Sequence, residues 1–310
     1  MNSLANKLTR SWQLFKASVL IIRKHPKLLV FPLVTGLLTL VIALFFLAPV
    51  VLVLLAPHWL QGTSFHALAN RIVFLRPQHG AVFKLQLQPL ATLMVAGIYL
   101  LNMFLATLSS VAFNSEILEA LSGRPVSIRH GIEEACARWK SVLLWSLLAG
   151  SIGLLIRALE ERVAFIGRLV AGLIGLAWSL ASIFAIPILV REPALANPFE
   201  ILKKSAGTIK QTWGEMLIGY LGMQGTNLMF LWGSILLWVI TGAAAILLSN
   251  SWILVLVGVP WLISLLVYGY LSGIASRVYL CALYLYAAEG VVPAPYESSM
   301  MSLAFRPKKS

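Results

Sequence analysis

The amino-acid sequence predicts an all-α polytopic membrane protein with six transmembrane helices. Of its 310 residues, 59% are hydrophobic and only 11% are charged, and the mean hydropathy is +0.88. An ordinary soluble domain is nearer half apolar and a quarter charged, so this composition excludes an ordinary soluble enzyme. The second observation is a series of apolar runs, most of them at least the ~20 residues that cross a bilayer core. The runs are 28–56, 89–113, 141–156, 164–190, 217–248 and 252–287.

The distribution of Lys and Arg predicts how the spans are oriented. Cytoplasmic loops of membrane proteins carry an excess of these two residues. Of the 24 Lys and Arg residues, 18 fall in four alternate segments and 6 fall in the segments between them. We therefore expect both termini to be cytoplasmic and the short turn at 249–251 to lie on the other side. The four basic segments are 1–27, 114–140, 191–216 and 277–310.

An amphipathic helix is predicted in three of these segments, over 4–22, 127–140 and 198–213, and the first is predicted to break at His25-Pro26. Each has apolar residues at three- and four-residue spacing, and each leads into a span. This order predicts a threefold repeat of amphipathic helix, span, turn and span, although any basic loop between spans would have a similar pattern. The predicted organisation of the single transmembrane domain, 1–310, is an N-terminal helix (1–27), three hairpins (28–113, 114–190 and 191–287) and a cytoplasmic tail (288–310).

The N-terminal amphipathic helix carries its cations beside an apolar stripe that includes Leu8, Trp12 and Phe15. Helices of this kind lie in the membrane interface, where their cations meet anionic lipids. A bilayer with anionic headgroups is therefore the expected partner, and the charge gives no indication of nucleic acid. The predicted headgroup contacts are Lys7, Arg10, Lys16, Arg23, Lys24 and Lys27.

Two segments on the other side of the membrane support a hypothesis of an anion pore. The loop 57–88 carries Arg, Lys and His but no acid, as an anion-collecting vestibule would. Its alternative is a short interfacial helix, His66–Leu75, followed by an exposed loop. The turn at 157–168 either forms a charged gate or caps a helical hairpin with Arg side chains that reach the interface. The candidate gate residues are Arg157, Glu161, Arg162 and Arg168.

The fifth span carries a polar cluster formed by Gln224, Thr226 and Asn227. Neutral polar side chains within a membrane either join helices or line a wet path. Three glycines at 219, 222 and 225 interleave with the cluster and lower its helix propensity. A broken helix that lines a cavity is one expectation for this region.

Small residues form two seams along the predicted spans. Ala177, Ala181 and Ala185 recur every four residues, and Gly269 and Gly273 form a GxxxG pair. Small residues let helices approach closely in membranes. We expect both seams to pack inside one chain, and packing between the subunits of a homo-oligomer is the alternative.

The sequence lacks the residues that most membrane enzymes need. It has no Asp, all 11 acids are Glu, and it contains no Walker, HExxH, CxxC or GxSxG motif. We therefore expect no enzymatic activity, no cofactor and no metal site. Cys136 and Cys281 both fall on the side predicted to be cytoplasmic, where no disulfide is expected.

Four stretches, 12–36, 159–190, 203–215 and 272–293, resemble an uncharacterised family of bacterial polytopic membrane proteins that contain a domain of unknown function. The third of these reads KKSAGTIKQTWGE. The resemblance implies six helices in a bacterial inner membrane and transfers no functional residues. A looser resemblance to the sulfate-permease family is carried by the basic helix, proline and span at the start of the chain.

Two functional hypotheses follow. The first is a channel or permease for small solutes or anions that is not driven by ATP. The second is a non-transporting scaffold or accessory subunit that binds anionic lipid or a partner protein. The basic outside segments and the polar fifth span favour the first, and the repeated amphipathic helices favour the second.

Overall fold

The computed structural model describes residues 2–54, 73–78, 82–87, 89–162, 165–250 and 252–296. Their side chains are described for 12–44, 96–160, 167–210, 231–250 and 252–296. Helices make up most of the described chain, which confirms the predicted all-α class.

The helices follow one another along the chain with short connections, and one small β-hairpin interrupts them. In chain order the elements are α1 (Asn2–Lys24), a 3-10 turn (Pro26–Leu29), α2 (Val30–Leu54), β1 (Val73–Gln78), β2 (Val82–Leu87), α3 (Pro89–Leu121), α4 (Ile128–Ala137), α5 (Trp139–Arg162), α6 (Phe165–Ala181), α7 (Ala185–Arg191), α8 (Pro198–Leu247), α9 (Trp252–Tyr284) and a π-helical turn (Leu285–Glu289).

Five segments in the described part of the chain are long and apolar enough to cross a membrane. The predicted fifth span, 217–248, lies on α8, where the side chains of 211–230 are outside the described set. The described remainder is a shorter apolar helix, Leu231–Leu247. The 50 residues of α8 have a length of about 75 Å at 1.5 Å per residue, so the helix must continue outside a bilayer core. The five segments are Pro26–Leu44, Ala96–Leu121, Trp139–Glu160, Gly167–Arg191 and Trp252–Glu289.

The backbone of α8 is helical from end to end, so the predicted break near the glycines at 219–225 is wrong. Helical i to i−4 hydrogen bonding is the cheapest way to satisfy backbone groups in lipid, and it tolerates isolated glycines. Asn197 begins the helix, because its side chain accepts a hydrogen bond from the Phe199 N–H at 3.0 Å. Pro198 then occupies the first turn, where it costs no hydrogen bond.

The three amphipathic helices are present, but each joins its span differently. α1 ends before His25, and Pro26 starts the 3-10 turn, as the sequence predicts, because proline restricts the residue before it. α4 is separated from α5 by Arg138 alone, and α8 continues into its span without a break. The order of amphipathic helix and span therefore occurs three times, and the predicted domain boundaries stay predictions.

The loop 57–88 contains a two-stranded antiparallel hairpin, in which Val73 pairs with Leu87 and Gln78 with Val82. The helix predicted over His66–Leu75 is therefore wrong for residues 73–75. Both strands are rich in Val, Phe and Leu, which favour extended backbone. Pro77, within β1, disfavours a helix at this position, so the segment pairs as a strand. Residues 66–72 of that prediction lie outside the described chain.

The buried residues collect where the ends of several helices meet. Leu14 of α1, Leu28 of the 3-10 turn, Ile117 of α3, Ile188 of α7 and Tyr284 of α9 all belong to one buried cluster. We call this region the core end. It comprises the C-terminal parts of α3 and α9, the buried face of α1, the 3-10 turn, α7 and the first turns of α5 and α8.

The remainder of the helices exposes large apolar side chains. Leu37 of α2, Leu173 of α6, Val239 of α8 and Leu256 of α9 are between 59% and 78% exposed. Apolar faces of this extent are stable only against lipid or another protein surface. α1 behaves differently, because Leu14 and Ile21 form a face that is buried against the protein core. Trp12, on the predicted apolar stripe, is 45% exposed.

The alanine seam is not one helical face. α6 ends at Ala181 and α7 begins at Ala185, with a turn between them. Pro187 accounts for the break, because its ring clashes with the carbonyl of Ile183 in a continuous helix and it has no N–H to donate. Ala177 is exposed, Ala181 is half-buried and Ala185 is buried.

The GxxxG pair does not pack within the described part of one chain. A Cβ atom built at Gly269 or Gly273 meets no atom within 4 Å. Packing of this face of α9 inside one chain therefore receives no support from the described residues and stays a prediction. Packing between two chains stays a prediction.

The predicted tail is in part a structural element. Tyr296 is buried, and its hydroxyl lies 2.8 Å from Ser18 Oγ on α1. Residues 291–296 therefore return the chain to the core end after α9. The rest of the predicted tail, 297–310, lies outside the described residues.

Candidate functional site

Most charged side chains of the core end are of two kinds, and the first kind is paired. Five glutamates in the described chain bind Arg or Lys of the same chain, which cancels their charge locally, and a sixth binds a histidine. Apart from Glu116, the paired side chains are between 17% and 89% exposed; a single pair in contact with solvent contributes about 0–1 kcal/mol. The pairs are Glu116–His130, Glu119–Arg124, Glu133–Arg129, Glu134–Arg138, Glu192–Lys204 and Glu289–Arg191.

The second kind consists of exposed cations that form no ion pair within the described chain. Each lies one or two residues from a buried residue of the core end; Arg23 adjoins Ile22, Lys27 adjoins Leu28, and Lys210 adjoins Ile209. They therefore surround the core end. We call these residues the basic surface: Lys16, Arg23, Lys24, Lys27, Lys140, Lys203 and Lys210.

Two tryptophans accompany the basic surface. Trp12 is 45% exposed and Trp139 is 49% exposed. The Lys16 ammonium lies 5.6 Å from the ring centroid of Trp12, and the Lys140 ammonium lies 5.8 Å from that of Trp139. Trp is enriched at the headgroup level of membranes, so both contacts suit a membrane interface.

A buried carboxylate holds α4 against α3. Glu116 is 0% exposed; its Oε2 accepts a 2.6 Å hydrogen bond from the Ser127 N–H. Its Oε1 lies 2.7 Å from His130 Nδ1. The hydrogen bond that Glu116 accepts from His130 raises the pKa of His130, and the charges of Glu134 and Glu119 raise it as well.

Gly131 makes this docking sterically feasible. A Cβ atom at this position would lie 2.8 Å from Glu116 Cγ and 2.9 Å from the Ala112 carbonyl oxygen. Only glycine allows α4 to approach the backbone of α3 so closely. The sequence offered one signal that was missed, a glutamate at the end of an apolar run followed by a capping serine, a histidine and a glycine.

A polar pocket of about 550 Å³ opens beside α7, α8 and the π-helical turn. Arg191 Nη2 donates to Glu289 Oε2 at 2.9 Å, and Lys204 Nζ donates to Glu192 Oε2 at 2.6 Å. Tyr284 Oη lies 3.4 Å from Glu192 Oε1. The pocket thus has two cations, two carboxylates and two hydroxyl-bearing residues, Tyr284 and Thr208, and its formal charge is zero. Its main lining residues are Arg191, Glu192, Lys204, Gly207, Tyr284 and Glu289.

The pocket is built by helices that the core holds in place. Ser205 Oγ accepts a hydrogen bond from the Phe184 N–H at 3.1 Å, and this links the start of α7 to α8. Arg191 follows the buried face of α7, and Tyr284 ends α9. The sequence placed Arg191 and Lys204 only in the basic segment 191–216, because it does not show that Glu289, 98 residues after Arg191, packs beside them.

The candidate gate residues lie away from the core end. Arg157 and Arg168 are exposed on α5 and α6, and both make contacts within the chain. Arg157 is 15 residues from the buried Val142, which corresponds to about 22 Å along α5. α5 and α6 pack together. The side chains of Glu161, Arg162, Gln224, Thr226 and Asn227 lie outside the described set, so the gate and the polar path stay predictions.

Four of the six candidate headgroup contacts have described side chains. Lys16, Arg23, Lys24 and Lys27 are exposed, whereas the side chains of Lys7 and Arg10 lie outside the described set. No group of three or more metal-ligating side chains occurs among the described residues.

Polar side chains in the described part of α3 join helices. Asn114 Oδ1 lies 3.0 Å from Cys281 Sγ, and both residues are buried. Arg277 donates to Ser110 Oγ at 3.4 Å and lies over the ring of Phe113. These contacts fix α9 against α3 at the core end.

The long apolar helices, their exposed apolar faces and the charged core end define a helical, multi-pass membrane protein. Residues 90–293 match the model of a family described as Family of unknown function (DUF6159). The match covers about two thirds of the chain, so the chain belongs to this family. Comparison with curated proteins and with solved structures gives no match. The looser resemblance to sulfate permeases receives no support.

Proposed function

We propose that the chain is a non-transporting membrane scaffold that binds anionic lipid headgroups through its basic surface. The observation that carries this proposal is the charge pattern of the core end. Six glutamates are paired within the chain, whereas seven exposed Lys and Arg residues have no ion pair among the described residues. Glu200, beside the buried Ile201, is exposed and forms no ion pair among the described residues. Seven cations against this one carboxylate leave the surface positive.

A positive surface beside membrane-spanning helices attracts anionic lipids. Each Lys or Arg near such a membrane contributes about 1 kcal/mol, which corresponds to about a fivefold change in binding. Trp12 and Trp139 support the same proposal, because both are exposed beside a lysine. The helix-joining roles of Ser110 and Asn114 also favour a scaffold, since these polar groups serve packing.

The test uses the full-length protein in vesicles that contain brominated phosphatidylglycerol or brominated phosphatidylcholine. Bromine quenches Trp fluorescence on contact, so the ratio of quenching reports the lipid preference. We expect the unmodified chain to prefer the anionic lipid. In the double variant Lys24→Gln/Lys27→Gln this preference should fall by about fivefold for each of the two cations removed. The matched control, Arg157→Gln/Arg168→Gln, removes two cations elsewhere and should keep the preference.

The same vesicles distinguish the scaffold from a channel or permease for small anions. The scaffold predicts no chloride flux above that of empty vesicles. Flux that is present in the unmodified chain and absent in Arg157→Gln/Arg168→Gln would replace the scaffold with the channel. An unchanged lipid preference in Lys24→Gln/Lys27→Gln would also refute the proposal.

A further inference from the structure

The polar pocket has the features of a ligand site that is independent of the basic surface. Its volume of about 550 Å³ falls within the range of about 300–1,000 Å³ that is typical of small-molecule sites. It lies where two candidate spans end, at Arg191 and at Glu289. The pocket is therefore at the level at which a lipid headgroup would lie, and it is also open to a water-soluble ligand.

The donors of the pocket are only partly used. A guanidinium group has five N–H donors, and Arg191 uses Nη2 to bind Glu289. Arg191 Nε is buried and has no hydrogen-bond partner among the described residues. Lys204 has three donors and uses one of them for Glu192. Unused donors on two neighbouring cations suit an oxyanion, which Arg binds in a bidentate manner.

The acceptors suit a cation of the same ligand. Glu192 and Glu289 place two carboxylates in the pocket, and the Tyr284 hydroxyl is beside Glu192. The side chains of both ion pairs are between 25% and 44% exposed, so water already competes for these charges and a ligand can exchange with them. A ligand that is only anionic would displace the carboxylates from their cations and leave them unpaired, and a ligand that is only cationic would leave the Arg and Lys side chains unpaired.

We propose that the polar pocket binds a zwitterion in which a short chain joins an oxyanion to a primary ammonium. The oxyanion binds Arg191 and Lys204, and the ammonium binds Glu192 and Glu289. A phosphoethanolamine headgroup and a free α-amino acid share this chemistry. The position of the pocket at the ends of two candidate spans makes both sources accessible.

The test measures binding to the full-length protein in nanodiscs of phosphatidylcholine by isothermal titration calorimetry. The probes are O-phosphoethanolamine, glycine, inorganic phosphate and ethanolamine. We expect a zwitterion to bind at least about tenfold more tightly than phosphate or ethanolamine. Each of these two probes has charge of only one sign, so it leaves polar groups of the pocket unpaired. Equal affinity for phosphate alone, or no binding of any probe, would overturn the proposal.

A second arm distinguishes the two sources. Nanodiscs that contain phosphatidylethanolamine should show weaker binding of O-phosphoethanolamine if the lipid headgroup occupies the pocket, because the lipid competes. Unchanged binding in these nanodiscs, together with binding of glycine, would assign the pocket to a free amino acid. Both results support the zwitterion site and identify its source.

The variant Gly207→Leu blocks the pocket without removing any charged group. A Cβ atom at Gly207 meets nothing within 4 Å, so the helix can accept the side chain. We expect binding to weaken at least about tenfold while the thermal stability is kept, since the leucine occupies ligand volume. Gly172→Leu is the matched control. Gly172 lies on α6, outside the pocket lining, and a Cβ atom at this position also meets nothing within 4 Å. Unchanged binding in Gly207→Leu would refute the assignment of this site.

The charged groups are tested against an ion pair elsewhere in the same chain. Glu289→Gln and Lys204→Gln should each weaken binding of the zwitterion. Arg129→Gln and Glu133→Gln alter the exposed pair on α4 and should leave binding unchanged. Equal effects of both sets would indicate a general electrostatic attraction and would contradict the proposal. This result would leave the lipid preference of the basic surface untouched.

Discussion

Glu116 makes two interactions at once, one through each carboxylate oxygen. It accepts the Ser127 N–H and it faces the imidazole of His130. A buried carboxylate is costly unless such partners satisfy it. The carboxylate therefore fixes the first turn of α4 on α3, and the raised pKa of His130 is the measurable sign of this contact.

The pH dependence of this contact follows from the direction of the shift. Because the pKa of folded His130 lies above 6.5, its stabilising charge is fully present below about pH 6.5. The contribution is lost as the pH rises through the raised pKa. The effect on the free energy of unfolding is small, because the imidazole is half-exposed and solvent screens it.

The variant Glu116→Gln should lower the pKa of His130 towards 6.5, and an NMR titration of the imidazole protons checks this. We also expect a loss of about 1–3 kcal/mol of stability, because the acceptor for the Ser127 N–H is weakened in a buried site. Glu133→Gln, on the exposed side of α4, should change neither quantity much. A pKa of His130 that is unaltered in Glu116→Gln would exclude the contact.

At the level of the elements, the packing of α4 on α3 depends on the absence of a side chain at Gly131. The variant Gly131→Ala places a Cβ atom 2.8 Å from Glu116 Cγ and 2.9 Å from a backbone oxygen of α3. Because the backbone cannot yield cheaply, we expect a loss of about 1–3 kcal/mol, measured by thermal unfolding in detergent.

Gly207→Ala is the matched control for Gly131→Ala. It introduces the same methyl group into α8, where nothing lies within 4 Å, and alanine is the better helix former by about 1 kcal/mol. We therefore expect neutral or slightly increased stability. If the two variants behave alike, the close approach of α4 to α3 does not exist in solution.

The sequence predicts those elements whose cause is local. Apolar spacing and charge predicted α1 and α4, and the pair His25-Pro26 predicted the end of α1. The β-hairpin in the loop 57–88 and the break between α6 and α7 were missed, although Pro77 and Pro187 gave local hints of both. The residues of the polar pocket could not be grouped from the sequence, because Arg191 and Glu289 meet only after α7 and α9 pack on the same core.

At the scale of the whole molecule, the core end and the spans differ in where their apolar side chains lie. The core end buries its apolar residues inside one chain, whereas α6, α8 and the first half of α9 present large apolar side chains outward. These outward faces require lipid or another chain. Gly269 and Gly273, further along α9, are also exposed, and packing of a second copy of the chain against them stays a prediction.

The orientation of the molecule in its membrane can be tested with its own cysteines. Cys136 on α4 is exposed and Cys281 on α9 is buried, so a membrane-impermeant maleimide should label only Cys136 in the native protein. Because 18 of 24 Lys and Arg residues fall in the four segments that are predicted to share the side of Cys136, we expect labelling only after the cells are permeabilised. Cys136→Ala should abolish labelling until the protein is denatured. Equal labelling of intact and permeabilised cells would place the core end outside and reverse the predicted topology.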